Sequence, residues 1–354
     1  MRLVFWGTPL FAVPALRLLA ASQHDVAAVV TNPDRPRGRG RQLASTAVKE
    51  AAVEMGLPVL QPESLAAPEL ADRLRALVPD LLCVVAFSIL PAELLAVPRL
   101  GAINLHPSLL PKYRGAAPIV WALVRGETRT GLTTFLLNPA VDAGDILLQQ
   151  PVEIDPDETA GELETRLAEL GARLVLDTVD GLAAGTITPR PQPRGQATRA
   201  PRLCKEDARI DWTRPAAAVR NLVRGMNPVP GAFTTWRGTL LKVHRAAIMA
   251  PTVPPAPSAM SAAGGAERQP AGAGGTAVAP VPADLGSPGM AAAELPPAPG
   301  TVVRASPATG LVVATGCGCL RLTHVQPAGR SAMTDSEFLR GHAVRVGERL
   351  GDDG

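Results

Sequence analysis

Leu3-Val4-Phe5-Trp6-Gly7, apolar residues at helical spacing from Phe11 to Leu19, then Val26-Ala27-Ala28-Val29-Val30-Thr31: this opening reads as strand, turn, helix and second strand. Both strands are apolar throughout. A strand of that kind needs helices on both faces of its sheet, which is the habit of parallel sheets. The pattern then repeats. Ser45 can cap a helix through about Met55, and Val59-Leu60 is a short strand. Pro68 to Leu77 suits a helix with proline in its first turn. Leu81 to Val85 and Ala102 to Leu105 are further strands. Alternation of this kind predicts βαβ units and a doubly wound, mostly parallel α/β sheet of Rossmann-like type. Leu132 to Leu137 and Ile146 to Ile154 look like two more strands. Thr159 to Ala184 is a long amphipathic helix, with Leu163, Leu167, Leu170, Leu174, Val175 and Val179 at threes and fours. It closes a first domain at residues 1–184.

The remainder has a different rhythm. Thr186 to Arg202 carries four prolines, four arginines and no helical period, so residues 185–203 read as a linker. A helix at Ala216 to Gly225 follows. Gly231 to Trp236 and Thr239 to His244 pair as a hairpin around Arg237-Gly238, and short strands fall at 301–303, 311–314 and 320–322. Short strands separated by turns predict a small antiparallel, OB-like β-barrel over 204–347. Residues 251–299 interrupt it with 11 Pro, 7 Gly, 14 Ala and no aromatic. That composition cannot bury enough apolar surface to offset its ordering entropy, so the segment reads as a disordered insert.

Composition narrows the function. At 354 residues and 46% hydrophobic, the chain supports two cored domains. Aromatics are only 3%, too few for a base-stacking platform. No stretch approaches the ~20 charge-free apolar residues of a membrane span. Gly7-Thr8-Pro9 and Pro14 break the apolar run that would otherwise resemble a secretory signal. Cysteines at 83, 204, 317 and 319 and five scattered histidines match neither a disulfide framework nor a zinc spacing. No metal and a reducing, cytoplasmic setting are expected. The net charge is only +3, but from 190 to 250 twelve basic residues stand against three acidic ones. That local excess can attract a polyanion.

Two patches carry chemistry. In Asn104-Leu105-His106-Pro107-Ser108-Leu109-Leu110-Pro111-Lys112-Tyr113-Arg114-Gly115 the fifth strand delivers Asn104 and His106 at i and i+2, on one side of the sheet. They lie at a strand's carboxyl end, where open α/β sheets bind ligands. An amide donor beside an imidazole suits acyl-group chemistry: one stabilises an oxyanion, the other moves protons. The second patch, Val141-Asp142-Ala143-Gly144-Asp145-Ile146, places carboxylates in a turn between strands. Taken singly, the pair also fits side chains that merely satisfy a loop entrance, and Asp142 fits a turn former.

Together, Asn-x-His-x-Ser-Leu-Leu-Pro-x-x-x-Gly at 104–115 and Val-Asp-x-Gly-Asp-Ile at 141–146 resemble the 10-formyltetrahydrofolate-dependent formyltransferases. Phe5-Trp6-Gly7-Thr8-Pro9-Leu10-Phe11-Ala12 resembles the family's opening turn. The 31–41 loop, Cys204 to Trp212, Asn227 to Phe233 and Gln326 to Met333 are similar to members that formylate an initiator tRNA. The likeness spans nearly everything except 251–299. It implies formyl transfer from 10-formyltetrahydrofolate to the α-amine of initiator methionyl-tRNA, by a monomer. It implies Asn104, His106 and Asp142 as catalytic residues. Phe87, Ser88, Ile89, Leu90, Ser108, Leu109, Leu110, Pro111, Gly115 and Asp145 would bind the folate. Arg35, Arg37, Arg39, Arg41, Lys205 and Arg209 would contact the tRNA. An amino-sugar nucleotide or other small amine as acceptor, or water in a hydrolase, are the alternatives within the same chemistry.

Overall fold

The computed structural model describes residues 1–37, 42–249 and 297–351. Arg39, Arg41 and most of the 251–299 insert lie outside the described residues; Ala298 already belongs to the fold, its carbonyl accepting from Thr301 N.

The first half runs β1 (Arg2–Gly7), α1 (Val13–Ala20), β2 (Asp25–Val30), β3 (Arg35–Arg37), β4 (Gln42–Ala44), α2 (Ala47–Glu54), β5 (Val59–Leu60) and α3 (Pro68–Leu77). It continues with β6 (Leu81–Val85), α4 (Ala92–Leu95), β7 (Ala102–His106), α5 (Pro118–Val124), β8 (Arg129–Leu136), β9 (Ile146–Glu153) and α6 (Ala160–Ala183). Seven strands form one sheet in the order β5-β2-β1-β6-β7-β8-β9. The pairings from β5 to β7 are parallel; β8 and β9 add on antiparallel. The mostly parallel sheet is therefore as expected.

β1 shows why Leu3 to Trp6 are all apolar. Leu3 and Phe5 enter the core under α1, α2 and α6, whereas Val4 and Trp6 enter a second core with Leu70, Leu74 and Leu94 of α3 and α4. A period of two with both faces covered leaves no position for a polar side chain. α6 starts on a capping box between Thr159 and Glu162, a device that contributes about 1 kcal/mol. α2 is capped by Thr46, not by the expected Ser45.

The second half contains α7 (Ala216–Gly225), β10 (Ala232–Trp236), β11 (Thr239–Met249), β12 (Val302–Ser306), β13 (Gly310–Ala314), β14 (Cys319–Pro327), β15 (Met333–Thr334) and α8 (Asp335–Gly341). Its sheet is antiparallel in the order β10-β11-β14-β13-β12, with β15 on β14. Residues 348–351 run between the two outer strands: Leu350 N donates to Gly300 O at 2.8 Å and Gly351 N to Thr235 O at 2.9 Å. The halves are docked. Val120 and Val124 of α5 pack against the second core, and Arg220 and Arg245 pair with Asp157 and Glu162 across the junction.

Residues 185–203 do not simply span the gap. Arg190 exchanges two backbone hydrogen bonds with Ile146, and Thr198 and Ala200 bond with Arg114. This strap lies along the first domain before the chain enters the second.

Candidate active site

From β1 the chain builds outward to β2 and β5, then returns to lay β6 on the other side of β1. Ligands of open α/β sheets bind at such a reversal, beyond the carboxyl ends of the strands. A cleft of about 530 Å³ lies there, lined by Pro9, Phe11, Phe87, Asn104, His106 and Asp142 among others. A tighter cavity of about 70 Å³ adjoins it behind Phe87, Ser88, Ile89 and Leu90, and Asn104 and Asp142 line both.

Ile103 and Leu105 of β7 are buried in the core under α6. Asn104 and His106 therefore emerge on the opposite face. His106 is only 4% exposed. Its Nε2 lies 2.8 Å from the Tyr113 carbonyl. A carbonyl only accepts, so Nε2 carries a proton and donates it there. Nδ1 is left facing Asp142 Oδ2 at 3.8 Å, beyond a direct hydrogen bond. Burial is the largest influence on His106 and pushes its pKa below the ordinary imidazole value; the Asp142 charge and the Tyr113 carbonyl pull it back up, and Arg114 adds to the lowering. The imidazole is thus neutral at pH 7, with its one basic nitrogen aimed along a carboxylate. Asp142 Oδ2 is held by the Gly115 amide at 2.8 Å. The Asn104 side chain makes no hydrogen bond to any other described residue.

The loops that complete the site are strained. Ala86, Tyr113 and Asp142 have φ of 50°, 61° and 48°, the left-handed region that side chains rarely adopt. Gly115 has φ of 125°, and a Cβ there would lie 2.4 Å from the Ala200 carbonyl oxygen. At Gly144 a Cβ would come within 1.6 Å of Leu136 O. Both glycines are demanded by close backbone approach.

Of the expected folate residues, Phe87, Ser88, Ile89, Leu90 and Gly115 line the two cavities. Ser108, Leu109, Leu110, Pro111 and Asp145 line neither. Ser108 Oγ donates to Lys112 O at 2.6 Å, and Leu110 packs with Phe135 and Ile146; these residues shape the loop beneath the cleft. Arg35 lies on the β3–β4 hairpin with its guanidinium 3.4 Å from Glu63, both largely exposed; the side chain of Arg37 is not among the described ones. Lys205 Nζ sits 5.9 Å from the Phe233 ring, two residues after Leu203, which lines the cleft. Arg209 lines a separate hollow beside Trp212. Sequence reasoning missed Tyr113, whose contribution is a backbone carbonyl and carries no side-chain signal. It also missed Glu164 of α6, which lines the cleft; amphipathic spacing marks it only as a polar position.

The chain matches the formyl transferase family over residues 1–179 and its C-terminal domain over 202–343. It is 43% identical to the methionyl-tRNA formyltransferase of Solibacter usitatus over 353 residues, covering 99% of each chain. Among solved structures it resembles HypX from Aquifex aeolicus in complex with tetrahydrofolic acid, at 17% identity, TM-score 0.58, and 96% and 47% coverage of the two chains. The methionyl-tRNA formyltransferase from Clostridium thermocellum matches at 17% identity and TM-score 0.51, with 70% and 94% coverage. These two share the fold. Family membership rests on the near-complete alignment with the Solibacter relative: the chain belongs to the methionyl-tRNA formyltransferase family of formyl transferases.

Proposed function

We propose that the protein transfers the formyl group of 10-formyltetrahydrofolate to the α-amine of initiator methionyl-tRNA, giving formylmethionyl-tRNA and tetrahydrofolate. One observation carries the chemistry: an Asn104 amide with no hydrogen-bond partner among the described residues stands beside a buried neutral His106 backed by Asp142, all three lining one cleft. A free α-amine titrates at about 7.7–8.0, so a useful fraction is nucleophilic near neutrality. Its nitrogen attacks the formyl carbon and the C=O electrons move onto oxygen. The Asn104 amide donates to that oxyanion. Nδ1 of His106 takes the proton from the attacking nitrogen, and Asp142 faces the imidazolium that results. Collapse of the intermediate breaks the bond from carbon to the folate nitrogen, which receives that proton. The cleft of about 530 Å³, walled by Phe11, Phe87 and Ile119 beside Asn104 and Asp142, has the size and the apolar surfaces that a folate needs.

The acceptor reading draws on the arginines of the Arg35–Arg41 segment and on Lys205 and Arg209 beyond the strap. Alternating arginines bind phosphates without needing a fixed surface. Action as a monomer in the cytoplasm belongs to this reading through the likeness to the family; separately, no helix among the described residues is long and apolar enough to cross a membrane. Arg39→Ala tests the arginine segment. KM for the charged tRNA should rise, and its salt slope should fall by about 0.7–0.9, with KM for the folate unchanged. Equal loss of both substrates would withdraw the segment from tRNA recognition.

A further inference from the structure

The strap at 185–203 holds two of the strained loops of the cleft, those of Tyr113 and Asp142. Thr198 Oγ1 accepts from Tyr113 N at 2.8 Å, and Ala200 N donates to Arg114 O at 2.7 Å. Those bonds fix the loop whose Tyr113 carbonyl orients His106 and whose Gly115 amide holds Asp142. At its other end, Arg190 pairs with Ile146 just after the Asp142 turn.

One side chain joins the two loops. Gln192 Nε2 donates to the carbonyls of Asp142 at 2.9 Å and Gly144 at 2.8 Å. Its Oε1 accepts from Arg114 Nε at 3.1 Å and Nη2 at 2.5 Å. The amide has only this orientation available: carbonyls cannot donate and a guanidinium cannot accept. No other natural side chain of this length offers two donors on one side and an acceptor on the other. Pro191 and Pro193 flank it. Each fixes its own φ and biases the residue before it toward extended backbone, so the strap presents the amide from a stiff segment.

We propose that Gln192 is a positioning residue for formyl transfer. It clamps the Asp142 turn to the Arg114 loop and so sets the carboxylate against His106 Nδ1. The strap thereby couples the entry of the second domain to the geometry of the catalytic pair. This rests on the reading of the cleft above, in which Asp142 acts through His106.

Two measurements on the full-length protein test it. The first is amide hydrogen exchange without substrates, which does not depend on the reaction assignment. In Gln192→Ala the Gly115 amide should exchange roughly tenfold faster, because its acceptor Asp142 has lost its clamp. Amides of β1 should be unchanged. Equal acceleration in β1, or none at Gly115, overturns the proposal. The second is a double-mutant cycle with Asp142→Ala. Gln192→Ala should lower kcat by roughly 10²-fold, the scale of an ångström of misplacement, with KM for folate held. In the Asp142→Ala background the further loss should be under about threefold. The same loss in both backgrounds contradicts a role through Asp142. Gln192→Glu keeps the acceptor for Arg114 but turns an oxygen toward two carbonyls; it should resemble the alanine variant, and wild-type behaviour would overturn the clamp. If the wild-type protein transfers no formyl group to any acceptor, the functional reading falls and the exchange result alone decides the clamp.

Discussion

The two walls of the cleft are built in opposite ways. On one side Asn104 and His106 project from a regular strand, paired in parallel with β6 on one edge and antiparallel with β8 on the other. On the other side Tyr113, Gly115 and Asp142 sit on loops in left-handed or glycine-only conformations, held by bonds from a segment about 50 to 85 residues away in sequence. On the strand wall the sheet ladder sets the directions in which Asn104 and His106 leave the backbone, and the Tyr113 carbonyl then orients the imidazole. The loop wall is set by long-range contacts, and strain persists there because the strap over-determines it. Asn104 and His106, the groups proposed to react, sit on the strand wall, and Asp142, the proposed counter-charge, sits on the held one.

That contrast predicts a graded response. Asn104→Ala should lower kcat by roughly 10²–10³-fold, the usual effect of removing one oxyanion donor. His106→Ala should cost about 10²–10⁴-fold. Folate and tRNA KM values should change little in either. A loss seen mainly in KM would recast the strand wall as a binding surface.

Asp142→Asn should do less, roughly ten- to a hundredfold in kcat, because the base remains and only its counter-charge is gone. It also gives a titration with a definite sign. Burial depresses the His106 pKa and Asp142 opposes that depression. His106 in the wild-type protein should therefore titrate below the ordinary value of about 6.5, and lower still in Asp142→Asn; NMR of the ring measures both. As pH falls below about 6.5 the unfolded chain takes up a proton that the buried ring does not, so stability should also decline on that side. An Asp142→Asn titration that moves upward would break the assigned pairing.

How much of this was legible before the fold was known differs by kind of contact. α3, β6 and α7 have the bounds read from the sequence. Prolines and uninterrupted apolar runs mark such ends through local sterics. The cap of α2 was placed one residue early. Ser45 and Thr46 are equivalent caps in one dimension, and the choice is made in three, where Thr46 Oγ1 meets Thr31 Oγ1 at 2.8 Å. α8 went unread because its seven residues are too short to show a period. Its capping box, Thr334 with Glu337, was the available sign. In the site, Asn104, His106 and Asp142 stand out by side-chain chemistry and spacing but become catalytic candidates only through the resemblance to the formyltransferases; the cleft gathers all three. The strap was read only as a linker. Its prolines announce what it cannot be, a helix, and its bonds to Arg114 and Ile146 are backbone bonds that any residues could make. Gln192 alone could have drawn notice, as an amide set between two prolines.

The central claim, that this cleft moves a formyl group to the amine of an initiator tRNA, is tested most directly by one assay. Purified protein is given 10-formyltetrahydrofolate with charged initiator methionyl-tRNA, with charged elongator methionyl-tRNA, or with no acceptor. Formylmethionine formed on the initiator tRNA alone is the predicted result. Turnover of the folate without tRNA, or formylation only of a small amine such as an amino-sugar nucleotide, would contradict it. Asn104, His106 and Asp142 would then keep their chemistry, while the basic hairpin and second domain would lose the purpose assigned to them.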